Sequence, residues 1–508
     1  MSKRFSLIVL LSIAIIYSII IILSWGENYI DFGDGNYIYI AKRMADGLTL
    51  YKDILAPQPP IHLYTGKFLC HLGNLFGINS ILIPFRFFSL CLHIFTFFLI
   101  YFIAKKIFVS EASALISAGI YMLIPIGFWW TRGYQSEPLE VFFLLFAFYF
   151  FSDFTKKSLI ISAIFSTLAV FTNMTAVPYV LFNLLYLLIR KRKLFVYYFL
   201  PFFVLTLIIV FYFELKTGRY LENVFVNQVG SYPKKEMYPA GPIAYAVSKI
   251  FKEGKDIIFW EGSYIIFSLL GLIGYFEKFK DRQEKEYVGL YTFFALGSFI
   301  FVTKGATMEY IFTIGEPWVA LFAGLFFQQY IKNNITFKKS DFISFKDLSP
   351  YLSILFLILM IFIAGIIGFA NAVGTFKQKN DELNEEGVQK IKYFIEKNSK
   401  PEDAILSPPF YAVVTNRKII EEYSELFLWT IKYWNEVIVS KKPGLGVEKV
   451  EKISQALREK KIPLAIIELD QTGRIPEIKK AIEENYTAIL EQPFQTLNTR
   501  LLILIPKN

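Results

Sequence analysis

The feature that most constrains this chain is a succession of long apolar runs, separated for the most part by short loops that carry Lys and Arg. A run of about 20 apolar residues can cross the hydrocarbon core as a helix, the one form in which a single segment satisfies all its own backbone polar groups. Eleven candidate spans follow, near residues 5–24, 84–104, 111–130, 138–154, 158–172, 176–189, 194–213, 260–275, 287–302, 309–331 and 350–373. The expected fold is therefore a polytopic α-helical membrane protein. The pair 158–172 and 176–189 can also be drawn as one helix kinked at Pro178. Charge decides between the two drawings, because Lys156 and Lys157 precede the stretch and Arg190, Lys191, Arg192 and Lys193 follow it. Both ends prefer the cytoplasm, so the segment returns on itself as a hairpin or a re-entrant loop.

Composition agrees with this class. Of the 508 residues 55% are hydrophobic and 18% aromatic, and mean hydropathy is +0.44, which excludes an ordinary soluble globular protein. The net charge of +10 does not point to nucleic acid, since the Lys and Arg residues gather at the ends of apolar runs, where they set orientation. Cys70 and Cys91 are too few for a disulfide framework, and with only His62, His71 and His93 beside them no zinc site is expected. The first run, Phe5 to Ser24, is long for a signal peptide and lacks a small-residue cleavage site, so it reads as an uncleaved span.

With the N-terminus inside, every cytoplasmic connection is basic. They hold Lys105 and Lys106, the two groups around 158–189, Lys278 to Lys285, and Lys332 to Lys346. The loops 25–83, 131–137, 214–259 and 303–308 then lie outside a plasma membrane, as does everything after 374. Two domains are expected: a membrane domain over 1–374 with an outer loop at 25–83, and a small extracytoplasmic α/β domain over 375–508. In the latter, helices are expected near 386–398, 447–461 and 476–485. Short apolar runs at 462–470 and 501–505 read as buried strands, and 486–490 as a weaker one.

The first outer loop is more than a linker. Residues 36–46 put Tyr37, Ile40, Ala41 and Met44 on one helical face, with Lys42, Arg43 and Asp46 opposite. This pattern predicts a short helix at the membrane surface, with Asp34 or Asn36 as N-cap and Gly47 at C′. A second amphipathic stretch over 61–76 follows Pro59-Pro60 and ends at Gly77.

Candidates for chemistry are the ionisable groups that survive beside apolar spans. They are Asp31, Asp34 and Asp53 in the first loop, Arg132 and Glu137 between the third and fourth spans, and Lys304 and Glu309 at the mouth of the tenth. A solvated loop charge is the plain alternative for each. Their convergence on one face argues for a site.

These residues also carry a resemblance. The series Asp34-Gly35-Asn36-Tyr37, Tyr39, Ala41-Lys42-Arg43, Gly47, Leu50-Tyr51-Lys52-Asp53 and Gln58-Pro59-Pro60 resembles the first outer loop of GT-C glycosyltransferases, the protein-mannosyltransferase-like and aminoarabinose-transferase-like enzymes. Ser136-Glu137-Pro138-Leu139 is similar to the family's second acidic motif. Met308-Glu309-Tyr310 with Pro317 resembles a later His-Tyr and Pro element, with Glu in place of His. The resemblance implies transfer of a sugar from a polyprenyl-phosphate carrier in the bilayer to a glycan, lipid or protein acceptor on the outer face, with inversion.

It implies too that a first-loop acid accepts the acceptor's proton and that Glu137 orients that base or binds the acceptor. Arg132, Lys304, Arg86 and Tyr310 are implied phosphate contacts, in that order, with Asp53 and Gln58 at the substrate. Gly33 stands where the family has its acid, so Asp34 and Asp31 remain alternatives. Asp34 is preferred for the Gly-Asn-Tyr that follows it. No cofactor is required, although some relatives hold a divalent ion, for which Asp31, Asp34 and Glu137 would be the ligands. Asn173-Met174-Thr175 matches a glycosylation sequon but falls in a tight turn beside the membrane, and reads as accidental. The competing reading is a polytopic transporter or lipid-carrier flippase of envelope glycan assembly, which would place its ionisable groups near the bilayer midplane.

Overall fold

Among the described residues, apolar helices of very different exposure dominate the first two thirds of the chain. The structure is a computed structural model, and it describes residues 3–23, 25, 31–124, 133–226, 265–276, 283–301, 308–334, 385–422, 445–468, 475–494 and 499–507. Helix α1 (Lys3–Leu23) is followed by a π-helical segment (Asp31–Tyr37), α2 (Ile38–Ala45), α3 (Pro60–Leu75), α4 (Leu82–Phe108) and α5 (Glu111–Leu123). Then come α6 (Ser136–Phe151), α7 (Lys156–Val170), α8 (Val177–Arg190), α9 (Arg192–Thr217), α10 (Ile265–Phe276), α11 (Gln283–Phe301) and α12 (Met308–Asn334).

Among the described residues three helices are long and apolar enough to cross a membrane: Arg4–Leu23, Leu82–Phe108 and Arg192–Thr217. Glu111–Leu123, Met174–Arg190 and Ile265–Phe276 are apolar but shorter than a perpendicular crossing needs. The last expected span, 350–373, lies outside the described residues. Helix α1 leaves Phe5, Ile8, Ile15, Ile19 and Leu23 exposed, a surface that only lipid would match. Helix α4 is instead mostly covered by its neighbours, and its final turn carries Lys105 and Lys106 as the charge rule requires.

The stretch 158–189 is two helices, as the flanking charges demand. The break comes at Phe171–Asn173 rather than at Pro178, which sits in the first turn of α8, where its missing N–H is harmless. Asn173 starts the turn by accepting from the Thr175 backbone N–H at 3.3 Å. Inside the bundle, polar side chains bridge helices. Ser162 donates to the Ala147 carbonyl at 2.7 Å, and Tyr287 donates to Asn183 Oδ1 at 2.8 Å.

Beyond residue 384 the chain changes to α/β. Helix α13 (Glu385–Asn398) leads to β1 (Ala404–Ile405), α14 (Pro409–Thr415) and β2 (Lys418–Ile419). Helix α15 (Leu445–Arg458), β3 (Ala465–Glu468), α16 (Pro476–Asn485), β4 (Tyr486–Phe494) and β5 (Thr499–Pro506) complete it. Strand β5 lies between β3 and β4, antiparallel to both, while β1 pairs parallel to β2. A parallel bridge from Leu406 to Ala465 joins the two pieces, so the strands read across as β2-β1-β3-β5-β4. The three helices and three strands expected from periodicity all form; β1, β2 and α14 were not foreseen, being two residues, two residues and two turns long.

One expectation fails in its surroundings. The helix over 36–46 is not a surface helix: Ile38, Tyr39, Ile40, Ala41, Arg43 and Met44 are all buried. Its polar face is covered by the C-terminal region, which supplies a carboxylate to Arg43. Neither Asp34 nor Asn36 caps it, since the helix begins after Tyr37 with no side-chain cap. The C-terminal expectations hold, with Gly47 (φ 104°) and Gly77 (φ 62°) in the left-handed region just past α2 and α3.

Candidate active site

The π-helical segment Asp31–Tyr37 is pressed between the membrane helices and the C-terminal region. Gly35 makes this possible, because a Cβ there would stand 2.7 Å from the Phe410 backbone nitrogen at the start of α14. On the other side Asp34, which is fully buried, meets Arg86 of α4: Nη2 donates to Asp34 Oδ2 at 2.5 Å. Arg86 is 4% exposed and its Nη1 donates to the Trp25 carbonyl. The resemblance puts Arg86 third among the implied phosphate contacts; in the structure it is buried against Asp34. The reason is geometric: Arg86 lies in the first turns of α4, within reach of both the Trp25 carbonyl and Asp34.

Next to this pair is an aromatic layer. His62, just inside α3, stacks on Tyr134 with ring centres 4.0 Å apart and meets Tyr37 edge-on at 4.7 Å. Tyr134 donates to the His62 carbonyl at 2.6 Å and meets Phe85, the neighbour of Arg86, at 4.8 Å. Gly66 lets α3 come close, as a Cβ there would be 2.7 Å from Ala41 Cβ. Burial alone pulls the His62 imidazole down to about 3, so the ring is neutral at any ordinary pH.

Glu137 stands in the first turn of α6, the favourable end of a helix for an acid. Asn173 Nδ2 donates to Glu137 Oε1 at 3.2 Å and to Ser136 Oγ at 3.1 Å. One turn along, Glu140 is fully buried, and the Thr175 hydroxyl lies 2.7 and 2.8 Å from its two oxygens. The sequon-like Asn173 and Thr175 are therefore occupied in holding the two acids of α6.

The other sequence candidates fall as follows. Asp53 accepts from the Thr49 backbone N–H at 2.8 Å and so closes the 49–53 turn. Gln58 accepts from the Tyr51 hydroxyl through its backbone carbonyl at 2.8 Å, while its Oε1 is buried with no hydrogen-bond partner among the described residues. Asp31 opens the π-helical segment and Tyr310 lies in the first turn of α12, but their side chains, like that of Glu309, lie outside the described residues. Arg132 and Lys304 lie outside them altogether. Among the described residues no three His, Cys, Asp or Glu side chains gather as a metal site would require.

Sequence reasoning missed several buried polar residues of this neighbourhood and of the bundle. His62 enters the sequence reading only as a zinc ligand, although its place two residues after Pro60 marks it. Glu140, one helical turn beyond Glu137, was passed over inside an apolar run. Also missed was a buried group deeper in the bundle: His93 stacks between Tyr17 and Tyr121, Tyr121 lies 3.1 Å from His93 Nδ1, and Glu316 of α12 is 1% exposed nearby.

The most consequential omission is the C-terminal clamp. Arg43 donates through Nε to Glu422 Oε2 at 2.8 Å and through Nη2 to Oε1 at 2.7 Å. The Tyr39 hydroxyl donates to Glu422 Oε2 at 3.0 Å and accepts from the Ile419 backbone N–H at 2.7 Å. Lys449, itself buried, donates to the Asp53 carbonyl at 3.0 Å and to the Glu421 carbonyl. To present these groups Glu421 and Glu422 adopt φ of 55° and 51°, a left-handed conformation costing roughly 1–2 kcal/mol per non-glycine residue.

Residues 58–213 match the family described as dolichyl-phosphate-mannose-protein mannosyltransferase. Over the whole molecule the chain superposes on ArnT from Cupriavidus metallidurans bound to undecaprenyl phosphate, with a TM-score of 0.65 and 11% identity, covering 99% of this chain and 98% of that one. The fold is that of the GT-C glycosyltransferases. The likeness in fold extends to the apo oligosaccharyltransferase of Archaeoglobus fulgidus, at TM-score 0.56 and 13% identity over 96% of this chain and 73% of that one. It extends equally to the same organism's oligosaccharyltransferase AglB with an inhibitory peptide and a dolichol-phosphate, at TM-score 0.55 and 13% identity over 95% and 69%. No curated protein sequence matches the chain.

Proposed function

We propose that this GT-C protein is a membrane glycosyltransferase that moves a sugar from a polyprenyl-phosphate carrier to an acceptor on the outer face, with inversion at the anomeric carbon. The observation that carries the reading is the buried Asp34–Arg86 pair, which sits on the loop whose motifs resemble the family's first outer loop. The solved GT-C structures bound to undecaprenyl phosphate and to dolichol-phosphate support the lipid carrier.

In the proposed reaction an acceptor hydroxyl oxygen attacks the anomeric carbon. The bond from that carbon to the phosphate oxygen breaks, and its electron pair leaves with the phosphate. The acceptor's proton passes to the Asp34 carboxylate, as general-base catalysis requires. Arg86 holds Asp34 in place before the donor arrives. Its planar fork allows one nitrogen to stay on the carboxylate while another meets the departing phosphate, stabilising charge where it develops. Asp31 remains the alternative base. Glu137, fixed through Asn173, would receive the acceptor. No step runs through a metal ion.

One observation favours the transporter or flippase reading: His93 and Glu316 are ionisable, buried and well inside α4 and α12, as a proton or ion path would need. A single experiment separates the two. Purified protein is incubated with a panel of polyprenyl-phosphate sugars and an acceptor, and release of polyprenyl phosphate is scored. The transferase releases it and Asp34→Asn does not. Movement of intact lipid-linked sugar across a vesicle membrane without release would favour the transporter.

A further inference from the structure

Three polar side chains on the elements around the Asp34–Arg86 pair are buried yet have no hydrogen-bond partner among the described residues. They are Asn36 on both amide atoms, His62 on both ring nitrogens and Gln135 on both amide atoms, exposed by 0%, 0% and 3%. Buried amides and imidazoles are paired in the great majority of cases, because an unmade bond costs the full desolvation of the group. Three unpaired groups are notable here because the chain ties them together. His62 is held between Tyr134 and Tyr37, and Gln135 and Asn36 are the residues adjoining those two tyrosines in the chain.

The ring of Tyr134 also touches Phe85, the chain neighbour of Arg86, and Asn36 follows Asp34 by two residues, so the elements that carry the three groups are those that carry the ion pair. Glu137 follows two residues after Gln135, and its Oε2 likewise has no hydrogen-bond partner among the described residues. The tyrosine itself is not part of this surplus, since its hydroxyl is bound to the His62 carbonyl.

The chemistry of the three is uniform. Each can donate and accept, and none is charged: two are amides, and His62 stays neutral because burial pulls it down to about 3. Such a set matches hydroxyl groups, which also donate and accept. It matches neither a phosphate, which wants cations, nor an ammonium, which wants acids.

We propose that Asn36, His62 and Gln135 form a neutral hydrogen-bonding subsite beside the Asp34–Arg86 pair, and that it takes the hydroxyls of an uncharged sugar. The inference rests on the glycosyltransferase reading and deepens it: Arg86 faces the carrier phosphate, and the amide–imidazole group reads the sugar. An aminosugar would instead be expected to engage Glu137.

The test measures binding to the purified full-length protein in lipid nanodiscs. The probes are undecaprenyl phosphate alone and undecaprenyl phosphate bearing a neutral hexose, a cationic aminopentose or an anionic uronic acid. The neutral hexose lipid is expected to bind at least tenfold more tightly than the bare carrier. That gain is expected to vanish in His62→Phe and in Gln135→Leu, with affinity for the bare carrier unchanged. His62→Phe keeps the aromatic stack and removes an unpaired group, so its melting temperature should equal or exceed that of the wild type; a purely structural histidine would lower it.

A gain that survives both substitutions overturns the subsite, as does an aminopentose lipid that binds as tightly as the neutral one. If the bare carrier does not bind at all, it is the transferase reading that fails, and the subsite falls with it.

Discussion

The C-terminal clamp offers the most quantitative prediction. Arg43 is 7% exposed and grips Glu422 with two nitrogens at 2.8 and 2.7 Å, while the Glu422 side chain keeps 19% of its exposure. Removing one partner of a fully buried pair costs about 3–5 kcal/mol, and the residual solvent at Glu422 brings the figure for Arg43→Ala to roughly 2–3 kcal/mol. The loss falls on the docking of residues 409–422 against residues 31–45, so global unfolding is the wrong observable. Native-state hydrogen exchange is the right one, because it reads local opening free energies. In both segments protection should fall about 30- to 150-fold, the same energy expressed as an equilibrium constant. Arg43→Ala combined with Glu422→Ala should cost less than the sum of the single changes, since neither charge is then stranded. Sugar transfer should weaken as well, because Gly35 and hence Asp34 are pinned beneath Phe410. Protection changed by less than about threefold in Arg43→Ala would refute the clamp, as the energy above leaves no room for so small an effect.

Further consequences can be checked separately. Glu137→Gln should lower turnover by at least about tenfold, the low end for a group engaged in acid–base or acceptor positioning, with membrane accumulation unchanged; if the protein no longer accumulates, Glu137 is structural. Reporter fusions at residues 280 and 340 should report the cytoplasm and at residue 400 the outside, and an inside signal at 400 would break the proposed topology. His62 titrates near 6.5 when unfolded but only near 3 when folded, so the unfolded chain binds the extra proton between those values and stability falls as pH drops below 6.5. At pH 5 this contribution is about 2 kcal/mol, and acid-unfolding curves of His62→Phe should lack it.

Much of the architecture can be read from local pattern alone. Helices α13, α15 and α16 and strands β3 to β5 announce themselves by period, and the return of the chain after 172 follows from Lys156, Lys157 and Arg190 to Lys193. Asp34 and Glu137 stand out as candidates because polar residues beside apolar spans are conspicuous. What escaped depends on distant contacts. Arg43 looks like a solvent-facing residue until Glu422, far along the chain, arrives to cover it. Asn173 and Thr175 look like a chance sequon until α6 brings Glu137 and Glu140 alongside. His62 carries no motif of its own, and only its place between two tyrosines removes its water. In each case the side chain's identity was visible and its partner was not.

The central claim is that Asp34, held by Arg86, is the base of a sugar transfer from a polyprenyl-phosphate donor. Its most direct test is release of polyprenyl phosphate by purified wild-type, Asp34→Asn and Asp31→Asn proteins, supplied with a donor panel and an acceptor. The account predicts turnover by the wild type and by Asp31→Asn, and none by Asp34→Asn, which should still insert and bind the bare carrier. Near-normal turnover by Asp34→Asn would contradict it.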